Sequence, residues 1–147
     1  MLLARHLPIL LATLLCTSCM APQRSEMVAV NPSGWHEAAS VIVDNSDTLS
    51  LRKLSIVLRH NGDFAERELP LNVQILTPDG RIFEESHNFI LHREHTASII
   101  SSVATMPYRE DVLFAMRGAY IFVFEPHAEI EGVEAIGVEI LDNDGKR

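Results

Sequence analysis

Histidines are the residues of this sequence with the clearest potential for chemistry, and there are seven of them. The densest group is His87, His92 and His95, with glutamates interspersed. Zinc is bound by three or four nitrogen, oxygen or sulfur atoms that converge on one point. On an extended strand, His87 and His92 are an odd number of residues apart and face opposite sides, so they cannot share a metal. We therefore expect no metal site and no cofactor.

The motifs that usually carry catalysis are absent from the sequence. It has no Gly-x-Ser-x-Gly elbow, no glycine-rich phosphate loop and no His-Glu-x-x-His. Paired carboxylates occur at Glu84 and Glu85 and among Glu125, Glu129 and Glu131. Glycoside hydrolysis needs two carboxyl groups about 5–10 Å apart across a cleft, and spacing along the chain does not show this. The expectation is a protein without enzymatic activity.

The N-terminal segment predicts export. Arg5 and His6 precede an almost wholly apolar run, Leu7 to Leu15. This run is shorter than the ~20 residues that a membrane-spanning helix needs, and it is typical of a secretory signal peptide. The alternatives are an ordinary signal peptide without lipid and a single anchor helix.

A cysteine at the end of this segment indicates lipid attachment. Small residues, Thr17 and Ser18, stand directly before Cys19. This resembles a bacterial lipobox, in which the cysteine thiol receives a diacylglycerol and a peptidase then cuts ahead of it. We expect residues 1–18 to be a lipoprotein signal peptide. Residues 19–26 are then expected to be the lipidated N-terminus and a tether to the domain.

Charge and cysteine content limit the possible partners. With Cys16 removed in the signal and Cys19 acylated, no internal disulfide can form, so the domain must depend on its core. The formal net charge is −8, and Arg5 is the one charged residue of 1–18, so cleavage makes the chain more negative. A negative protein is a poor electrostatic partner for nucleic acid or an anionic membrane surface. Membrane attachment is therefore expected through the lipid.

Alternating apolar residues predict a β-protein. The runs Leu54–Asn61 and Leu69–Ile75 have an apolar residue at every second position, and we interpret them as a central pair of strands. The turn residues 78–80 (Pro-Asp-Gly) predict a hairpin from the second run to the next strand, Arg81 to His92. The region 93–104 is expected to be a loop with room for a short strand.

The remaining segments complete a single antiparallel β-sandwich. Gly118 to Phe124 is apolar at every position, which predicts a strand covered on both faces. No segment has helical periodicity, and about seven or eight strands recur at roughly 8–12 residue spacing, as in an immunoglobulin-like sandwich. We assign this domain to residues 27–147. Its other expected strands are Met27–Val30, Val41–Asp44, Val112–Met116 and Val133–Leu141.

Two aromatic residues and one loop are candidates for binding. Trp35 and Tyr108 could be exposed platforms that stack on sugars, although a lone Trp more often packs on the core. Arg59 and Asp63 flank the loop after the first alternating run. They could form an ion pair that braces this loop, or they could belong to a docking surface, and bracing is the expectation.

Several of these segments together resemble the gliding-motility lipoprotein GldH family. Arg59-His60-Asn61 and Asp63-Phe64 match the family's Arg-x-Asn and Asp-aromatic pattern, and Gly132-Val133 with Ile136-Gly137 matches its closing motif. The resemblance covers roughly Trp35 to Glu85 and Arg117 to Leu141. The family's Gly-x-Trp-x-Gly segment is missing between Arg93 and Pro107.

The resemblance implies an outer-membrane lipoprotein that faces the periplasm and belongs to the gliding machinery, which is related to type IX secretion. It implies no catalytic residues, and its partners would be other envelope proteins. The expected docking surfaces are the edge strands at Met27–Val30 and Val112–Met116. Two alternatives stay open. One is a carbohydrate-binding or adhesin-like lipoprotein that uses Trp35 and Tyr108, and the other is a metal-dependent hydrolase that uses the region 87–95.

Overall fold

The computed structural model describes residues 23–91 and 101–143. Within these ranges the chain forms strands, turns and irregular segments, without a helix. The strands are β1 (Gln23–Ala29), β2 (Ala39–Asn45), β3 (Leu51–His60), β4 (Glu68–Leu76), β5 (Ile82–Ile90), β6 (Ser102–Leu113), β7 (Gly118–Pro126) and β8 (Val133–Asp142).

These strands form two four-stranded antiparallel sheets that pack face to face. The strand order is β1-β8-β3-β6 in the first sheet and β2-β7-β4-β5 in the second. Every second residue of β2 is buried, as expected of a strand with one face on the core. Side chains from both sheets meet in one core, whose largest fully buried members include Phe89, Phe122 and Phe124. The predicted all-β sandwich is confirmed.

The immunoglobulin-like arrangement is not confirmed, because the connections differ. In an immunoglobulin domain the first sheet joins strands A, B, E and D, so neighbours in sequence pair repeatedly. Here β4 and β5 are the consecutive strands that pair, and each other connection crosses from one sheet to the other. An eight-stranded sandwich with this order is a jelly roll.

The two runs expected to pair with each other lie in different sheets. The run Leu54–Asn61 belongs to β3, which is flanked by β8 and β6, and Leu69–Ile75 belongs to β4, which is flanked by β7 and β5. Both are central strands as expected, but the chain crosses the core between them. Alternation shows which face of a strand is buried. It does not show whether the next strand lies beside it or opposite it, so the predicted pairing was wrong.

The strand β6 differs most from the sequence prediction. It has 12 residues, Ser102 to Leu113, and it takes in the end of the expected loop and the start of the expected edge strand Val112–Met116. It also contains Pro107, which was expected to mark the boundary of the loop region. Because β6 is an edge strand, a residue without a backbone N–H is tolerated there. The pairing with β3 shifts register on either side of Leu54, and the positive φ of Asp111 (55°) adds to this irregularity.

Smaller differences concern β1 and β7. The strand β1 starts at Gln23, so Gln23 to Glu26 belong to the sheet and not to the expected tether. On β7, Tyr120 and every second residue after it are buried, whereas Ile121 and Val123 on the other face are only half-buried. The expectation that this strand is covered on both faces was therefore wrong.

The hairpin between β4 and β5 is confirmed. The Thr77 backbone N–H donates to the Arg81 carbonyl at 2.9 Å, and the Gly80 N–H donates to the Thr77 carbonyl at the same distance. Gly80 has a φ of 82°, a left-handed conformation that favours glycine.

The antiparallel registers give the sandwich two distinct ends. Gln23 of β1 lies beside Leu141 of β8, which lies beside Lys53 of β3. We call this the Gln23 end, and it also carries the connections 46–50, 77–81 and 114–117. The opposite end, which we call the Trp35 end, carries the connections 30–38, 61–67 and 127–132.

Candidate functional site

The loop after β3, which carries the family-like residues, lies at the Trp35 end and is held in shape by Asn61. The Asn61 side-chain oxygen accepts the Asp63 backbone N–H at 2.9 Å, which is a local turn that Asn favours. The Asn61 backbone N–H donates to the Gly132 carbonyl at 2.9 Å. One residue therefore orders its own loop and joins it to the loop before β8.

Phe64 and Gly132 lock the same two loops together. Phe64 is 2% exposed, and its ring centroid lies 5.1 Å from that of His60. A Cβ atom on Gly132 would lie 2.1 Å from the Phe64 backbone nitrogen, and Gly132 has a φ of 81°. Both conditions demand glycine. The two motifs that carried the family resemblance, far apart in sequence, are thus one packed unit.

Arg59 and Asp63 do not brace the loop. Both residues are exposed, and among the ion pairs of residues 23–91 and 101–143 there is none between them. The expected bracing ion pair was wrong, since Asn61 and Gly132 fix the loop through the backbone. Arg59 at the end of β3 and Asp63 in the loop instead both face solvent.

Trp35 is part of the core and not an exposed platform. It is 2% exposed, and its backbone pairs with Ile130 in an isolated bridge. Its indole N–H donates to the Glu37 carbonyl at 2.7 Å. Tyr108 is also buried. Neither ring has a face available to a sugar, so the stacking role considered for these two residues was wrong, and the expected packing of Trp35 on the core is confirmed.

On one side of the sandwich, side chains bridge the two edge strands β5 and β6. The Tyr108 hydroxyl donates to Glu85, and Arg109 forms an ion pair with the same carboxylate. Burial raises the pKa of Tyr108 well above its usual range, and the hydrogen bond and charge of Glu85 raise it further. The bridge borders a cleft of about 530 Å³, whose apolar lining includes Leu54, Val73, Ile75, Ile82, Phe83 and Val112.

This bridge connects the edges of the two sheets. The Glu85 carboxylate accepts hydrogen bonds from the Tyr108 hydroxyl and from the Arg109 guanidinium. Across the part of the chain that the structure describes, no three His, Cys, Asp or Glu side chains converge as a metal site. His87 lies against the Tyr108 ring, with centroids 5.8 Å apart, whereas His92 and His95 of the expected cluster lie outside the described residues.

A serine and a histidine also meet, on the outer face of the second sheet. The Ser86 hydroxyl lies 2.9 Å from His127 Nε2 and donates to Asn72 Oδ1 at 2.6 Å. His127 Nε2 also lies 3.1 Å from Asn72 Oδ1. In a catalytic pair the serine hydroxyl directs its proton to an unprotonated imidazole nitrogen, whereas the Ser86 hydroxyl donates to the Asn72 amide oxygen. The three residues cross-link neighbouring strands.

The expected docking strands are sheet edges, and both are guarded. The edge of β6 carries Pro107 and the charged residues Arg109 and Glu110, which are common protections against pairing with another chain. At β1, the Arg24 guanidinium donates to the Asp44 carbonyl of β2 and closes that side of the sandwich. Strand addition at these two edges is therefore less favourable than the sequence indicated.

Two of these clusters had no signal in the sequence. Glu85 meets Tyr108 because β5 and β6 face each other across the core, and Ser86 meets Asn72 because β4 and β5 pair in one particular register. Single-sequence patterns do not encode such registers. Asn61, Asp63 and Phe64 were singled out because they match the family's Arg-x-Asn and Asp-aromatic pattern after the alternating strand.

The chain has no match among protein-family models or curated proteins. Within residues 23–91 and 101–143 it has no helix long and apolar enough to cross a bilayer.

Proposed function

We propose that this chain is a lipid-anchored envelope protein without enzymatic activity, which binds other proteins through its Trp35 end. The proposal depends mainly on Arg59 and Asp63. Arg59 at the end of β3 and Asp63 on the following loop carry opposite charges and are exposed, and no ion pair joins them. Asn61 and Gly132 hold the loop in place. A rigid polar loop binds a partner with little loss of conformational entropy.

The position of this loop relative to the lipid supports the proposal. Cys19 precedes the start of β1 by four residues, so the lipid is attached beside the Gln23 end. The strand β3 has ten residues and ends at the loop. At about 3.3 Å per residue, the loop stands roughly 30 Å from the end that the lipid holds. It is therefore presented away from the membrane, where protein partners are accessible.

The family resemblance supplies the cellular setting of the proposal. We propose that the protein is attached to the outer membrane, faces the periplasm and serves the gliding-motility or type IX secretion-associated machinery. Asn61, Phe64 and Gly132 maintain the fold of the loop, as their contacts indicate. Among the matching residues this leaves Arg59 and Asp63 for the partner. The carbohydrate-binding alternative is not retained, because it depended on Trp35 and Tyr108.

Lipid attachment is tested by exchanging one cysteine at a time. Cys19→Ala is expected to abolish metabolic labelling with palmitate and to release the protein from the membrane fraction, because the acylated thiol is lost. Cys16→Ala is the matched control, since it removes a nearby thiol within the expected signal, and it should keep both label and membrane retention. Labelling of the Cys19→Ala protein would contradict the anchor.

Binding is tested by complementing a deletion strain with the double variant Arg59→Ala/Asp63→Ala. We expect this variant to reach the membrane in normal amounts and yet to fail to restore gliding or secretion. Crosslinking to its partners should fall by roughly tenfold, the size of effect given by the loss of exposed interfacial charges. The double variant Arg117→Ala/Asp44→Ala removes the same two charges at exposed positions near the Gln23 end and should restore function. Full activity of Arg59→Ala/Asp63→Ala would exclude this loop as the binding surface.

A further inference from the structure

Large exposed apolar side chains concentrate at the Gln23 end. Five of them, exposed by 47% to 88%, lie on or beside the connections of this end: Leu49, Leu51, Ile82, Phe83 and Leu113. We call these five residues the apolar rim. The other large exposed apolar residues are Ile42, Ile90 and Val103, of which Ile90 and Val103 lie toward the Trp35 end.

The members of the apolar rim are neighbours across both sheets. Leu51 and Leu113 are paired residues on β3 and β6. Ile82 and Phe83 begin β5 and line the same cleft as Val112, the residue before Leu113. A single exposed apolar residue is ordinary, whereas several at one end of a domain favour a surface that another body covers.

The loop that carries Leu49 is built to present it. The Asp47 side chain accepts the backbone N–H groups of Leu49 at 2.9 Å and of Ser50 at 3.2 Å, and it also accepts from Arg52 at 3.0 Å. Hydrogen bonds from the Ser50 side chain and from these two backbone groups hold the pKa of Asp47 well below its usual range. Leu49, the most exposed of the five, is therefore fixed outward by an ordered turn.

Several charges around the apolar rim are paired with one another. Arg52 pairs with Asp47 and Asp142, and Arg81 pairs with Asp79 at 2.9 Å. Lys53 lies 3.8 Å from Glu110. Pairing lowers the cost of bringing such groups close to a medium of low dielectric constant. The Gln23 end is therefore suited to an apolar contact and not to electrostatic attraction.

The length of chain before Gln23 decides what covers the rim. Four peptide steps separate Cys19 from Gln23, and a fully extended chain spans at most about 3.6 Å per residue, so the two are within about 14 Å of each other. A lipid on Cys19 has its acyl chains in the bilayer, so a fully extended tether crosses the headgroup layer, about 5–8 Å thick on each side, with at most about 9 Å to spare. The Gln23 end must then lie at the membrane surface.

We infer that the apolar rim rests in the lipid interface and holds the sandwich upright on the membrane. This inference depends on the proposed lipidation of Cys19, and its ligand is the bilayer itself. Exposed Leu, Ile and Phe side chains enter the boundary of headgroups and acyl chains by about 5–10 Å. The diacylglycerol expected on Cys19 holds the protein at the bilayer, and a second apolar contact fixes its orientation.

The orientation is tested with two tryptophan variants of one strand. Ile82 and Ile90 lie on the same face of β5, are 61% and 52% exposed, and stand at its opposite ends. The full chain carrying Ile82→Trp or Ile90→Trp is purified with its lipid and reconstituted into phosphatidylcholine vesicles that contain brominated acyl chains. Trp35, the single native tryptophan, is buried at the far end and gives the background emission.

We expect Ile82→Trp to lose most of its added emission to bromine and to shift to the blue, whereas Ile90→Trp and the native chain stay unquenched. High salt should leave this difference unchanged, because the contact is apolar. Equal quenching of both variants, or of neither, in protein that floats with the vesicles would overturn the inference and leave the anchor intact. Quenching that disappears at low protein density would indicate a second copy on the rim. Protein that does not float would instead refute the lipid anchor.

Discussion

Gly132→Ala is expected to destabilise the domain by at least about 3 kcal/mol, while Gly80→Ala costs about 1–2 kcal/mol. Both glycines have nearly the same left-handed φ, 81° and 82°. The conformational cost of a side chain is therefore the same at the two positions. They differ in surroundings, because a Cβ on Gly132 meets the Phe64 backbone nitrogen at 2.1 Å, whereas a Cβ on Gly80 meets nothing within 4 Å.

Urea unfolding followed by far-ultraviolet circular dichroism measures both variants. The difference between their unfolding free energies isolates the close approach of the two loops at the Trp35 end. If Gly132→Ala and Gly80→Ala lose the same stability, the loops can separate at no cost, and the rigid support assigned to Arg59 and Asp63 does not exist. Loss of partner binding in Gly132→Ala alone would be consistent with that support.

Trp35→Ala is expected to cost about 3–5 kcal/mol of unfolding free energy, because a large buried ring leaves a cavity. The substitution also leaves the Glu37 carbonyl without the indole N–H that it accepts at 2.7 Å. Phe83→Ala is the matched control, since it removes an aromatic ring that is 57% exposed. In the absence of lipid, its effect should stay within about 0.5 kcal/mol.

Thermal unfolding, again followed by circular dichroism, compares the stabilities of Trp35→Ala and Phe83→Ala without relying on tryptophan fluorescence. A Trp35→Ala protein of unchanged stability would show that the ring does not close the end of the sandwich. Glycan binding that depended on Trp35 in a protein of normal stability would reopen the carbohydrate-binding role. Because the indole is buried, we expect neither unchanged stability nor Trp35-dependent glycan binding.

Local pattern predicted the strands well and their partners poorly. Alternation located β3 and β4, because each has one apolar face, and the Pro-Asp-Gly turn located the β4–β5 hairpin. Local turn chemistry fixes the pairing of a hairpin, so that pairing was predictable. The jelly-roll order was not predictable, since the connection 46–50 between the sheets is as short as the hairpin connection 77–81 within one sheet.

The candidate site shows the same limit. Arg59 and Asp63 are close in sequence and opposite in charge, which favoured an ion pair between them. The contacts that shape their loop come from Gly132, whose carbonyl accepts the Asn61 N–H. The sequence analysis expected an ion pair to brace the loop. The loop is braced instead by hydrogen bonds of Asn61, one of them to the distant Gly132. Asn61 and Gly132 thus brace the loop, and Arg59 and Asp63 do not.

The place of β1 at the edge of its sheet has a mechanical consequence. A lipid on Cys19 would transmit any pull from the membrane to Gln23, along the axis of β1, while a partner at the Trp35 end would hold the other side of the sandwich. The force would then act along the axes of β1 and β8. These two strands are paired from Gln23↔Leu141 to Ala29↔Ala135. Its hydrogen bonds would share the force in shear and would not be peeled one after another. The strand β1 is therefore oriented to bear tension.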